Sequence, residues 1–449
     1  MHESSRAHIN LIAENLITAT KALGIPINDQ GTGQAIGGYF CPKNMEPKEL
    51  VRSSAKEAYY DSAVQRPNFH LLTDNQVSRI ITSKANGAAK VTSIEYASSA
   101  SAERKTVKVK REAILAAGAL HSPQLLQVSG IGDANLHKTI NVTTVVDLPA
   151  VGHNLHDHLS VAVVNLGKQS SNRMHSETIL IIPVTTTEPT SSMLTSNTTF
   201  AAEARRQYDT EKKGPLTSPT GDFLLFLPLS TYSNSTSAIA AQASAGSASL
   251  SLPPSAPACV ANGYAKQYAS LNQKLTSKDA AFLEIIWADG VVVLGLQHPY
   301  SRGTVKASSS SIFDAPVADP GFLRNPLDVA LLREGVHFAR KLVQAPGIAE
   351  LAPVEVAPGA NVTGSADIDA FIRGSASTLY HPAGSCKMGP REEGGVVDGE
   401  LKVYGVQGLR VVDASVLPIL PASHTMTTVY GVAEKAADII RRAEKAGRY

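Results

Sequence analysis

Charge of one sign, cysteine and long apolar runs are all scarce in this sequence, and each scarcity removes a class of function. Lys and Arg number 41 against 39 Asp and Glu, and a net charge of +2 offers no basic field for nucleic acid or an anionic membrane. The three cysteines, Cys41, Cys259 and Cys386, form no C-x-x-C pair. A zinc ribbon and a dithiol redox motif are therefore excluded, and at most one disulfide is available. No apolar run approaches the roughly 18 to 20 residues of a membrane span. The opening MHESSRAHIN has neither the basic start nor the apolar stretch of a signal peptide. No G-x-S-x-G elbow presents a serine nucleophile. A proper G-x-G-x-x-G is missing too. The nearest run, Gly31-Thr32-Gly33-Gln34-Ala35-Ile36-Gly37-Gly38, misplaces the third glycine and follows no strand, so it reads as a Gly-rich turn.

What is present is a chain of 449 residues with 43% hydrophobic content, enough for two or three domains and a sizeable core. Residues 68–118 alternate short apolar runs with turn signals (NFHLLT, QVSRIIT, KVTSIEYAS, TVKVKREAILAAG), which predicts strands. The last run leads into a short predicted helix with Ser122 as N-cap, Pro123 at its first position and Gly130 just past its end. Residues 168–260 are rich in Ser, Thr and Ala and read as loops forming a lid or insertion. AFLEIIWADGVVVLGLQHPYSRGTVKAS predicts two strands and LDVALLREGVHFARKLVQ a helix. GLRVVDAS predicts a buried strand closing on Asp413. Val429, Val432, Ala433, Ala436, Ala437 and Ile440 make one face of a helix from about residue 427. Four N-x-S/T sequons, at Asn141, Asn197, Asn234 and Asn361, fit either glycosylation on a secretory route or chance in a Ser/Thr-rich chain.

Three histidine groupings stand out. His153, His156, Asp157 and His158 have spacing that could converge metal donors, but they sit in a loop-like stretch, and no metal is assigned. His381 and His424 each lie among small residues, in LYHPAGSCKMG and PASHTM, which leaves room for a ligand. His424 also falls between a strand end and a helix N-terminus, where open α/β folds place ligands. Taken singly, an imidazole of this kind serves structure more often than catalysis.

Taken together, the segments resemble the glucose-methanol-choline (GMC) family of FAD-dependent oxidoreductases. Residues 118–132, GALHSPQLLQVSGIG, match the family's second signature along their whole length. VGHNLHDH (151–158) resembles its VGxNLxDH element, and HPYSRG (298–303) its HPxSRG turn. Residues 379–389 resemble its HPxGTCxMG element, with Ser385 in place of threonine. The resemblance implies an α/β and α+β architecture: an FAD-binding Rossmann-like domain, incomplete here, and a substrate domain built on an antiparallel sheet flanked by helices. It divides the chain into a substrate-domain segment 1–67, an FAD-domain segment 68–160, a substrate-binding domain 161–376 and a C-terminal FAD-binding and catalytic segment 377–449. It also implies that Val77, Gly118, Ser122, Asn154, Asp413, Ala414, Thr425 and Met426 contact FAD, that His381 is the general base and that His424 is its partner.

The expected function is oxidation of a small-molecule alcohol by proton abstraction at His381 and hydride transfer to FAD, with oxygen or another acceptor taking the electrons. A non-redox cyclase or dehydratase acting on a secondary metabolite is the alternative, as is an inactive remnant. The family's opening strand, Gly-rich turn and helix were not found, so the expectation is a chain lacking the N-terminal FAD-binding segment. Neither nucleic acid nor membrane is an expected partner.

Overall fold

A computed structural model describes residues 11–447 apart from 86, 168–192, 218–220, 222 and 289, so part of the expected lid lies outside the described residues. Seven strands form the larger sheet. Gly37–Phe40, Phe223–Leu227, Leu283–Ala288, Val291–Leu296, Leu159–Gly167 and Pro353–Ala357 lie side by side in that order, and Ser377–Thr378 also pairs with Leu159–Gly167. Every pairing is antiparallel.

Strict alternation divides this sheet into two faces. Leu225, Leu283, Ile285, Trp287 and Leu294 point into the main core. There they meet the helix Pro326–Val343, whose Gly335 sits directly against Leu283 and Leu294. That helix is locally specified: the Asn325 side chain accepts from Leu327 N at 2.9 Å, Pro326 opens it, and Asp328 and Arg340–Lys341 complement its dipole. Each of its fully buried Leu residues contributes roughly 1.5–3 kcal/mol. On the opposite face Tyr39, Leu224 and Phe226 form a smaller cluster with Cys41 and Ala422 at its border.

A second, smaller layer carries the signature helix. The antiparallel pair Gln76–Ala85 and Ala88–Ala97 is extended by Lys105–Lys108 and, in parallel, by Val406–Gln407. Ala113–Leu115 pairs in parallel with Leu409–Val411. The expected run NFHLLT is not a strand. Leu71 and Leu72 are 57% and 61% exposed and no neighbouring strand pairs with them.

The signature helix spans Gly118–Val128 and so begins five residues earlier than its sequence signals imply, which puts Pro123 inside it. The helix survives because the carbonyl freed by Pro123, that of Ala119, accepts a hydrogen bond from Ser385 Oγ at 2.5 Å. Ser122 still caps, but from within, its hydroxyl accepting from Ala117 N at 3.1 Å. The Ser/Thr-rich stretch also differs from expectation, since its described part contains the helices Thr198–Glu211, Thr236–Ala245 and Ala258–Leu275. Alanine favours helix strongly enough to outweigh the serines, and Asn197 caps the first of these by accepting from Phe200 N at 3.0 Å.

Arg302 ties the layers together from the interior. Fully buried, it donates to Asn154 Oδ1 (3.1 Å), Pro299 O (2.7 Å) and Ser301 O (3.0 Å), and lies 5.1 Å from the Tyr264 ring centroid. Asp328, also buried, takes the backbone N–H groups of Tyr300 and Ser301. Arg302→Met removes the donors but leaves their acceptors and Asp328 in place. It is expected to cost about 3 kcal/mol or more, read from the urea midpoint. A midpoint unchanged from wild type would show that water replaces the guanidinium.

Candidate functional site

Two segments distant in sequence zip together to build the site. His156 and Ala383 exchange both backbone hydrogen bonds, at 3.1 and 2.9 Å, and Leu379 N donates to His158 O at 2.9 Å. Gly384 makes this approach feasible. It adopts φ +87°, and a Cβ there would fall 2.4 Å from His156 Cε1. Buried Asp157 then secures the turn, accepting from His381 N at 2.9 Å and from the Thr378 hydroxyl. His381 is thus held by its backbone. Its side chain meets His158, Nδ1 to Nδ1, at 2.9 Å.

His424 arrives from the other side as the N-cap of the helix Thr425–Lys445, which starts slightly before the expected residue 427. Its ring centroid is 5.3 Å from that of His381. Its Nε2 is 2.7 Å from Oε1 of Glu284, a carboxylate with 0% exposure on the central strand Leu283–Ala288. Glu284 Oε2 accepts from Gln297 Nε2 at 2.9 Å. Space for this carboxylate exists because its cross-strand partner is Gly295, where a Cβ would crowd Leu379 at 2.8 Å and Glu284 at 3.2 Å.

The two imidazoles are driven in opposite directions. The Cys41 thiol and the Glu284 carboxylate raise His424 to about 10, whereas burial and the neighbouring His424 charge lower His381 to about 4. Between those values a neutral imidazole faces a cationic one, an arrangement that divides proton acceptance from charge stabilisation.

Other expected site residues fall into two sets. Gly118, Ser122, Asn154 and Asp413 are engaged with one another or with the frame. Gly118 N and Ser122 Oγ donate to Asp413 Oδ2 at 3.0 and 2.6 Å, and Ser415 N donates to Asp413 Oδ1 at 2.8 Å. Asn154 Nδ2 lies 3.3 Å from the carbonyls of both Gly384 and Pro418. Val77 and Met426, by contrast, are 37% and 39% exposed, and Met426 and Thr425 open the C-terminal helix beside His424. Ala414 starts a short 3₁₀ turn capped by Asp413.

Of the clustered histidines, His153, His156 and His158 are buried, and burial depresses all three. A cavity of about 820 Å³ lined by Ile36, Lys274, His298 and Leu420–Ala422 lies behind the His424 loop. Sequence reasoning missed Glu284, Cys41 and the contact of His158 with His381. Glu284 had a signal: it is the single charge in the apolar run AAFLEIIWA.

Glu284→Gln is expected to return His424 toward the ordinary value of about 6.5. If the His424 cation is needed, the alkaline limb of the kcat/KM profile moves down by about two to three pH units. A limb that stays near its wild-type position would place the cation's source elsewhere.

An antiparallel substrate-domain sheet, with smaller strand layers and a signature helix beside it, defines the class as a mixed α/β oxidoreductase fold. The chain belongs to the GMC oxidoreductase family, whose N-terminal model matches residues 3–160 and whose C-terminal model matches residues 299–433. It is 33% identical over 430 residues to the GMC oxidoreductase family protein Mala s 12 of Malassezia sympodialis, covering 94% of this chain and 64% of that protein. An FAD-dependent oxidoreductase from Chaetomium thermophilum superposes with a TM-score of 0.89 at 31% identity, over 96% of this chain and 72% of that one. A fungal aryl-alcohol oxidase does so with a TM-score of 0.85 at 32% identity, over 96% and 71%. The chain spans just under two thirds of the length of the curated relatives it matches first. Because the N-terminal model matches from residue 3, the expectation that the N-terminal FAD-binding segment is missing finds no support. No helix among the described residues is long and apolar enough to cross a membrane.

Proposed function

We propose that this protein oxidises an alcohol at its CH–OH carbon, with His381 accepting the hydroxyl proton and His424 stabilising the developing alkoxide. The observation that carries this reading is the opposite displacement of two facing imidazoles, His381 to about 4 and His424 to about 10. Loss of the hydroxyl proton makes the carbinol hydride easier to release. A neutral imidazole takes that proton, and a fixed cation 5.3 Å away, centroid to centroid, lowers the energy of the oxyanion left behind.

Proteins of the family bind FAD, which when bound accepts the hydride. The surface here fits that group in a specific way. Val77 and Met426 are open to contact, and the N-terminus of a 21-residue helix at Thr425 offers partial positive charge. The Ala414 carbonyl, by contrast, already accepts from Gly384 N at 3.1 Å and Leu417 N at 3.3 Å. Gly118, Ser122, Asn154 and Asp413 act as the frame, because their polar groups are already committed to one another or to neighbouring backbone.

The resemblance to an aryl-alcohol oxidase makes benzylic alcohols the first substrates to try. The test is purification with added FAD, followed by anaerobic mixing with benzyl alcohol and a panel of aliphatic and sugar alcohols. The expected result is bleaching of the flavin absorbance and a product lighter by two hydrogens. A colourless protein that retains no FAD, or a product formed by isomerisation or loss of water, would overturn the redox reading.

A further inference from the structure

We infer that His158 is a positioning residue that fixes which nitrogen of His381 carries its proton, leaving Nε2 bare to receive the proton of the substrate. The inference rests on the reading of His381 as the base.

The two Nδ1 atoms are 2.9 Å apart with the rings nearly perpendicular, at 89°. At that separation one hydrogen must lie between them, since two lone pairs repel and two N–H groups collide. Which ring supplies it follows from the base reading: His158 takes up Nδ1 of His381, so only His381 Nε2 can meet the substrate, and it must be bare to accept a proton. Burial and the neighbouring His381, His298 and His424 keep the His158 ring neutral, so it carries a single N–H.

His158 Nδ1 is then the acceptor and His381 Nδ1–H the donor. Being neutral, His158 carries its single proton on Nε2, a buried atom that no other group engages by hydrogen bond. His381 Nε2 is left bare.

The His381 ring meets His158 and not Asp157, which is engaged by other groups. The two Asp157 oxygens are engaged by the backbone N–H of His381 and the hydroxyl of Thr378. The base is thus oriented by a neutral imidazole in place of a carboxylate. A neutral acceptor sets the tautomer without adding a negative charge that would hold a proton on His381.

The experiment is long-range ¹H–¹⁵N correlation on the full chain labelled with ¹⁵N-histidine, near neutral pH, with His381→Gln and His158→Gln spectra used for assignment. His381 is expected to be protonated on Nδ1 and bare on Nε2, and His158 the reverse. A wild-type His381 protonated on Nε2 overturns the inference without any variant having to fold. In His158→Phe, which keeps a ring but removes the acceptor, the His381 signals should shift toward the Nε2–H form. Flavin reduction should slow by about 10²-fold with little change in substrate KM. His158→Gln, whose carbonyl oxygen can accept, should recover part of both. An unchanged tautomer in His158→Phe also overturns the inference. The two readings fail separately: full turnover by His381→Ala would remove the base assignment and leave the spectra standing, whereas a wrong tautomer with an inactive His381→Ala would remove only the role of His158.

Discussion

His381→Ala is expected to lower alcohol turnover by about 10³-fold, within the range for loss of a general base, while leaving FAD binding and the folded state intact. The fold should tolerate the change because His381 is anchored by its backbone, through the hydrogen bond from its N–H to Asp157 and the neighbouring zipper of residues 379–384 with 156–158. Its side chain contributes one hydrogen bond, to His158. The loss should fall on kcat, since the proton moves only as the reaction proceeds. Thermal denaturation and flavin absorbance provide the controls. Turnover within a few-fold of wild type, with FAD bound, would remove His381 as the base.

His424→Ala makes an informative comparison, because it deletes the cation but strands the buried carboxylate of Glu284. Both activity and stability should therefore fall, unlike the selective loss at His381. The paired substitution His424→Ala with Glu284→Gln should recover stability without recovering turnover.

The second large effect is on stability at mildly acid pH. His153, His156, His158 and His298 are all held well below their ordinary value, in each case by burial first; His153 and His298 lie at about 4. The unfolded chain binds protons at these residues near pH 6.5, and the native state does not until lower pH. Between those limits the unfolded state holds more protons, so stability falls as pH falls. Each group contributes at most about 1.4 kcal/mol per pH unit, and the four together about 5.5. Against a typical total of roughly 5–15 kcal/mol, a descent from pH 6.5 to about 5 should remove most of the stability.

Opposing effects are smaller or act elsewhere. His424, raised to about 10, contributes stability that is complete below its unfolded value and is lost as pH rises through about 10. Asp157 and Asp328 are raised by burial, so they recover some stability only as pH approaches the carboxylate range. Urea midpoints at pH 8, 6.5 and 5.5 test the balance. A midpoint that is flat across that range would mean that the buried histidines are protonated, or hydrated, in the native protein.

Much of the architecture was legible because local rules and tertiary structure agree. AFLEIIWA and VVVLGL are apolar runs rich in β-branched residues and form largely buried strands, and the helix Pro326–Val343 carries its own cap, opening proline and terminal charges. Where they disagree, a distant residue decides. Pro123 reads as a helix start, yet the helix runs through it because Ser385, 266 residues away from Ala119, satisfies the released carbonyl. Leu71 and Leu72 look like strand residues but lack a neighbour to pair with.

The site divides along the same line. The sequence by itself determined the family, through the run Gly118–Gly132 and the elements around 151–158, 298–303 and 379–389, and it singled out His381 and His424. Those are short contiguous patterns, and contiguity is what a sequence displays. Only the tertiary structure decided that Glu284 lies under His424, that His158 meets His381, and that Asp413 binds the signature helix. The protonation of each imidazole follows from burial and from charges brought together across 140 residues or more, and neither quantity is written in local spacing.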